Sequence, residues 1–64
     1  MTTIWHNIEL RIGNRKPHKR STVPSGLIGE INACLTILAE LRQSGDVCSL
    51  TVDGIPYPIP EPVN

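Results

Sequence analysis

The chain has 64 residues, 39% of them apolar, with six Lys/Arg balanced by six Asp/Glu, no Phe, one Trp and one Tyr. A domain this short buries only about 60% of the surface its unfolded form exposes, and ordering each residue costs roughly 1.5 kcal/mol of conformational entropy. The length therefore excludes a deep, multi-residue pocket, the thin core favours an oligomer or a partner-bound unit, and the zero net charge singles out no partner.

One small domain over residues 1–64 is expected, in the order strand 3–12, basic loop 13–22, helix 23–44, hairpin 47–59 and tail 60–64. In the first segment Ile4, His6, Ile8, Leu10 and Ile12 share one parity, and Trp5, Asn7, Glu9 and Arg11 the other. Such period-two alternation predicts a half-buried strand. Gly13-Asn14 ends it.

Arg11, Arg15, Lys16, Lys19 and Arg20 fall within ten residues, a local basic block in a neutral chain. A two-residue turn at Gly13-Asn14 would set Pro17 opposite Leu10 in a hydrogen-bonded pair, where proline has no N–H to give. A tight hairpin is thus disfavoured, a longer or bulged one is allowed, and a basic loop is the expectation.

Ser21 or Thr22 can cap a helix whose first turn tolerates Pro24. Leu27, Ile31, Cys34, Leu35, Leu38 and Leu41 then recur at helical spacing, and Gly45 is read as the stop. The apolar arc is wider than one small sheet needs. Its surplus edge, Ala33, Ile37 and Leu41, is the expected interface of a homodimer, with the exposed edge of the first strand as a second route.

Val47–Val52, the turn Asp53-Gly54 and Ile55–Ile59 give a strong hairpin signal. A two-residue turn pairs Val52 with Ile55, Leu50 with Tyr57 and Cys48 with Ile59. Pro56, Pro58 and Pro60 then fall where N–H groups would point outward, guarding a free edge. This period of two, without P-x-x-P, reads as an edge strand rather than a polyproline ligand. The expected fold is α+β: a βαββ unit with sheet order 1-2-3, strands 1 and 2 parallel, a 2-3 hairpin, and one helix on the face carrying Ile4, Ile8, Leu10, Leu50, Val52 and Ile59. The other face carries Trp5, Asn7, Glu9, Arg11, Ser49, Thr51, Pro56 and Pro58.

His6, His18, Cys34 and Cys48 match zinc ligands by type, but none of them form the close pairs of structural sites. Both cysteines read as small core residues, His6 as a rim residue and His18 as solvated. Ser25 or Ser49 with His6 or His18 is a combination that almost any chain of this length offers, and Gly26 and Gly29 fit no phosphate-binding fingerprint. No catalytic residue, metal or cofactor is expected. There is no stretch of ~18 apolar residues to span a membrane, and no signal-peptide pattern. Two unpaired cysteines suit a reducing, cytoplasmic setting, the host cytoplasm if the chain is viral.

The function expected is non-enzymatic binding: docking on a larger host protein or complex and modulating or inhibiting it. By size and simplicity the chain sits with phage and mobile-element accessory proteins such as anti-CRISPR-type inhibitors of host defence. The expected contact residues are Trp5, Arg11, Arg15, Lys16, Lys19 and Arg20, since Trp and Arg are enriched at binding hot spots. Two alternatives stand beside it: a nucleic-acid-binding module using segment 11–20, and a structural subunit of a homo-oligomer.

Overall fold

The computed structural model describes residues 3–60. The alternating segment forms β1 (His6–Ile12), the distal half of the basic segment forms β2 (His18–Thr22), and a 3-10 turn (Pro24–Gly26) leads into α1 (Leu27–Leu41). The Asp-Gly hairpin supplies β3 (Cys48–Val52) and β4 (Ile55–Pro56). The fold is α+β, with one helix and a four-stranded antiparallel sheet in the order β2-β1-β3-β4.

Two expectations are corrected by β2. The basic segment is not all loop: residues 18–22 pair with β1 as Leu10↔His18, Ile8↔Arg20 and His6↔Thr22. This register is one residue off the tight turn that Pro17 forbids. The turn opens with Gly13 at φ +53 and an Arg15 N–H to Ile12 carbonyl bond of 3.0 Å, and one further residue completes the loop. Within β1 the odd residues bond to β3, since Asn7 O accepts from Asp53 N and Gly13 N donates to Val47 O. The even residues, by alternation, bond to β2. Pro17, Lys19 and Ser21 therefore turn their backbone groups outward, and the missing N–H of Pro17 costs the ladder nothing.

The extra strand also reverses the expected parallel pair. The chain enters α1 from the end of the sheet where β1 began, so the helix returns it to the far end and β3 runs back antiparallel to β1, as Ile8↔Val52 and Ile12↔Cys48. The crossover through α1 links β2 to β3, which lie on either side of β1. With β1 internal, the edge-to-edge route to a dimer through the first strand is lost.

The core is Ile8, Leu10, Ile12, Ile31, Cys34, Leu38 and Leu50, with Leu27, Leu35, Ile37, Cys48, Val52 and Ile59 packed against it. Burying each such side chain is worth about 1.5–3 kcal/mol. α1 is shorter than the expected 23–44. Neither Ser21 nor Thr22 caps it: Gly26 is its N-cap without a side-chain bond, and the Thr22 hydroxyl donates to the Val23 carbonyl instead. It stops at Leu41 because Arg42 turns extended (ψ 132°). Gly45, at φ +88, belongs to the following turn, where the Asp46 carboxylate accepts from Gln43 N at 3.0 Å.

The β3–β4 register is as the prolines require. Asp53 (φ +54) and Gly54 (φ +80) both take the left-handed conformation of a type I′ turn. Val52 faces Ile55, and Tyr57 N donates to Leu50 O at 2.8 Å. Regular pairing ends at Pro56 rather than Ile59, although Ile59 still reaches the core. Arg42 ties this stretch to the helix end through a 2.7 Å bond to the Pro60 carbonyl. Residues 61–64 of the expected tail lie outside the described residues.

Candidate functional site

The hairpin divides the basic block by face. Cross-strand partners share a face, so Arg20, opposite Ile8, lies on the helix side, where its Nε reaches Glu30 Oε2 at 3.3 Å. Lys19, opposite Glu9, lies on the open side. Arg11 shares that open face and pairs with Glu9. Arg15 and Lys16 occupy the exposed turn. Among the described residues Arg15, Lys16 and Lys19 have no carboxylate partner, so the unneutralised positive charge concentrates at the tip and outer strand of the β1–β2 hairpin.

The open face is a polar grid. Ser21, Asn7 and Asp53 form one row and Lys19, Glu9 and Thr51 the next, with Arg11 beside Ser49 beyond them. The Ser21 hydroxyl donates to Asn7 Oδ1 at 3.0 Å. Between the strands lies a shallow, open depression of about 410 Å³ lined by Asn7, Glu9, Lys19, Ser21 and Thr51, with Gly54 at its end. Ile8 and Arg20 also contribute to its lining, which mixes polar and apolar surface.

Trp5 precedes β1, at the opposite end of the sheet from Arg15 and Lys16. Seven strand residues at about 3.3 Å each put more than 20 Å between them. Trp5 and the basic tip are thus two regions rather than one patch. Beside Trp5, His6 Nδ1 lies 2.6 Å from Asp53 Oδ2, and Asn7 N donates to Asp53 Oδ1 at 2.8 Å. The His6 hydrogen bond first, and the Asn7 N–H second, hold the Asp53 carboxyl below the usual carboxylate range. This clamp fixes the β3–β4 turn against the start of β1.

The remaining candidate residues have mixed settings. Cys34 is buried in the core, and burial first, with the Glu30 carboxylate adding to it and Arg20 opposing, pushes its thiol up. Cys48 is half-buried, and both thiols are free. Among the described residues no group of three His, Cys, Asp or Glu is placed to hold a metal ion. No described helix is long and apolar enough to cross a membrane. Of the helix edge, Ala33 and Leu41 are exposed, whereas Ile37 is half-buried and packs against the core.

A different apolar set is left uncovered. Ile4, Trp5, Ile28 and Ile55 are 63%, 58%, 75% and 68% exposed, and Tyr57 is 40% exposed. Ile4 was expected under the helix, and Ile55 and Tyr57 share its face of the sheet by register. α1 packs mainly against β1 and then β2, while Ile55 and Tyr57 on the β4 side remain exposed. The position of the helix over the sheet, which periodicity alone does not encode, hid this patch from the sequence.

Comparison of the chain with family models, with curated proteins and with solved structures returned no match.

Proposed function

We propose that the chain is a small non-enzymatic binding protein that docks on an acidic surface of a larger protein and modulates it, with the β1–β2 hairpin as its docking element. The observation that carries this reading is the separation of paired from unpaired cations. Arg11 and Arg20 are engaged by Glu9 and Glu30, while among the described residues Arg15, Lys16 and Lys19 have no carboxylate partner on an exposed hairpin. Charges so placed add little to the fold; they steer and orient an encounter with opposite charge. A rigid two-stranded ribbon also presents them with less entropy to lose than a mobile loop.

A second reading rests on the same hairpin: a two-stranded β-ribbon fits the major groove of duplex DNA. Three phosphate contacts would make affinity fall with salt at a log–log slope near −3. No aromatic side chain interleaves with the three cations, which weighs against single-stranded nucleic acid and keeps the protein partner first.

The test uses the triple variant Arg15→Ala/Lys16→Ala/Lys19→Ala beside the wild type. Both are immobilised and offered source-cell lysate, polyglutamate and duplex DNA across a salt series. The expected result is an acidic protein retained by the wild type and lost by the variant, with association slowed about tenfold or more and an unchanged circular dichroism spectrum. Duplex DNA bound with a slope near −3 that the variant abolishes would replace this reading by the nucleic-acid one. Equal retention of every ligand by both forms would remove the hairpin from function.

A further inference from the structure

The sheet ends in β2 on one side and β4 on the other, and these edges are built differently. At the β4 edge Pro56 and Pro58 take the outward positions, so no N–H is offered there. At the β2 edge the outward positions belong to Pro17, Lys19 and Ser21, because His18, Arg20 and Thr22 bond inward to β1. Only Pro17 lacks a donor. Lys19 and Ser21 are exposed, and β2 has no strand on its outer side. Among the described residues nothing donates to or accepts from their outward backbone groups.

We infer that the β2 edge takes up an extended acidic segment of the partner protein as an added antiparallel strand. This rests on the hairpin docking proposed above and names how the partner is held. An antiparallel newcomer exchanges both N–H···O bonds with an outward residue that has an N–H. Lys19 and Ser21 therefore each give and receive a bond, and Pro17 adds its carbonyl. Side chains supply the selection. The partner residue opposite Lys19 shares the open face with it. There it meets an ammonium that no described carboxylate answers, since Glu9, across from Lys19 on β1, is engaged by Arg11. The next partner residue lies opposite Arg20, which Glu30 already holds. Beyond His18 the partner runs on toward Arg15 and Lys16 at the exposed turn.

A second copy of the chain fits this edge poorly. In a two-fold pairing β2 would lie against itself. Registers centred on Lys19 or Arg20 set like cations directly opposite each other. The register centred on Ser21 sets Lys19 against Val23, whose carbonyl already accepts from Gly26 N and from the Thr22 hydroxyl. The cations that guard the edge against its own copy are thus the ones that admit an acidic strand.

The test offers the full chain a capped peptide alternating glutamate with threonine. The wild type should bind it, and amide exchange at Lys19 and Ser21 should slow by about tenfold or more on binding. Replacing the glutamates by glutamine or lysine should weaken binding by about tenfold or more. N-methylation separates strand addition from charge alone. Methylating the glutamate amides, which face β2, should abolish binding; methylating the threonine amides, which face away, should leave it little changed. Ser21→Pro removes an outward N–H as Pro17 already does, so the fold should persist while affinity falls by about tenfold. Ser21→Ala, which loses only the hydroxyl bond to Asn7, should bind like the wild type. If Ser21→Pro fails to fold, the methylation series on the wild type decides. Binding that needs Arg15, Lys16 and Lys19 but ignores which amides are methylated would overturn strand addition and leave the hairpin docking standing. Failure to bind the glutamate peptide, or equal binding of all three peptides, would also overturn the inference. So would a chain that sediments as a dimer and that Ser21→Pro returns to monomer, since a second copy would then hold the edge.

Discussion

Gly26 is glycine because of Thr22. A Cβ added at position 26 would stand 2.5 Å from the Thr22 hydroxyl oxygen, and Thr22 is buried, its hydroxyl donating to the Val23 carbonyl. The neighbour has little room to move, so Gly26→Ala should destabilise the fold by about 1–3 kcal/mol, as overpacked sites do. Adding Thr22→Ala removes the obstructing atom, so the double variant should be more stable than the sum of the single effects; strict additivity in urea unfolding would show that the contact is absent. At the opposite end of the residue scale, Asp53 links stability to pH. Its folded pKa lies below that of the unfolded chain, held there by His6 and the Asn7 N–H. Its contribution is therefore complete above the unfolded value of about 3.9 and drains away as pH falls through that value toward the folded one. Asn also tolerates the left-handed turn position, so Asp53→Asn keeps the hairpin and removes the charge. The variant should be less stable than wild type at neutral pH, and the gap should close on acid titration below about pH 4. A gap that stays constant to low pH would exclude Asp53 as its source.

At the scale of elements, helix and sheet meet through a narrow seam. Leu38 is 2% exposed at its centre, and its truncation to Ala should cost about 2–4 kcal/mol. A core of this size supplies only about 3–5 kcal/mol in total, so Leu38→Ala should leave a marginal fold of about 1 kcal/mol, with a measurable unfolded fraction at room temperature by circular dichroism. The β4 edge behaves differently. Replacing Pro58 by Val restores an outward N–H without touching the core, so the fold should persist while association by edge pairing rises, seen as concentration-dependent light scattering. No increase would mean that another feature already shields that edge. The contrast shows what the sequence could convey. The β3–β4 register was legible because Asp-Gly fixes the turn type and each proline marks an outward N–H. The buried parity of Ile8, Leu10 and Ile12 was legible because a strand alternates. β2 was not, because the turn takes one residue more than two and that single residue moves Pro17 from a forbidden position to a harmless one. The parallel pair failed with it, since whether a strand precedes the helix decides the direction in which the chain returns. At the candidate site the position of the basic segment in the chain was readable, but its division between two faces was not. That depended on the same register, which alone places Arg20 beside Glu30 and Lys19 on the open side.

For the whole molecule, neutrality and local charge serve separate ends. Six cations and six anions cancel, so no long-range repulsion opposes compaction or the approach of a second copy. The ion pairs among the described residues, His6–Asp53, Arg11–Glu9 and Arg20–Glu30, all have exposed or half-exposed partners. Surface pairs of this kind contribute little to stability, and salt screens them. The fold rests instead on the Ile8, Leu10, Leu38 and Leu50 seam, which moderate salt leaves in place. Stability and docking should therefore part company with ionic strength. Between about 0.05 M and about 0.5 M NaCl the Debye length shrinks from roughly 14 Å to roughly 4 Å, and the unfolding free energy should change by less than about 1 kcal/mol. Over the same range, association with an acidic partner through Arg15, Lys16 and Lys19 should slow by an order of magnitude or more. Urea titrations and stopped-flow association on one salt series separate the two. If stability fell with the association rate, the hairpin cations would be holding the fold together rather than waiting for a partner.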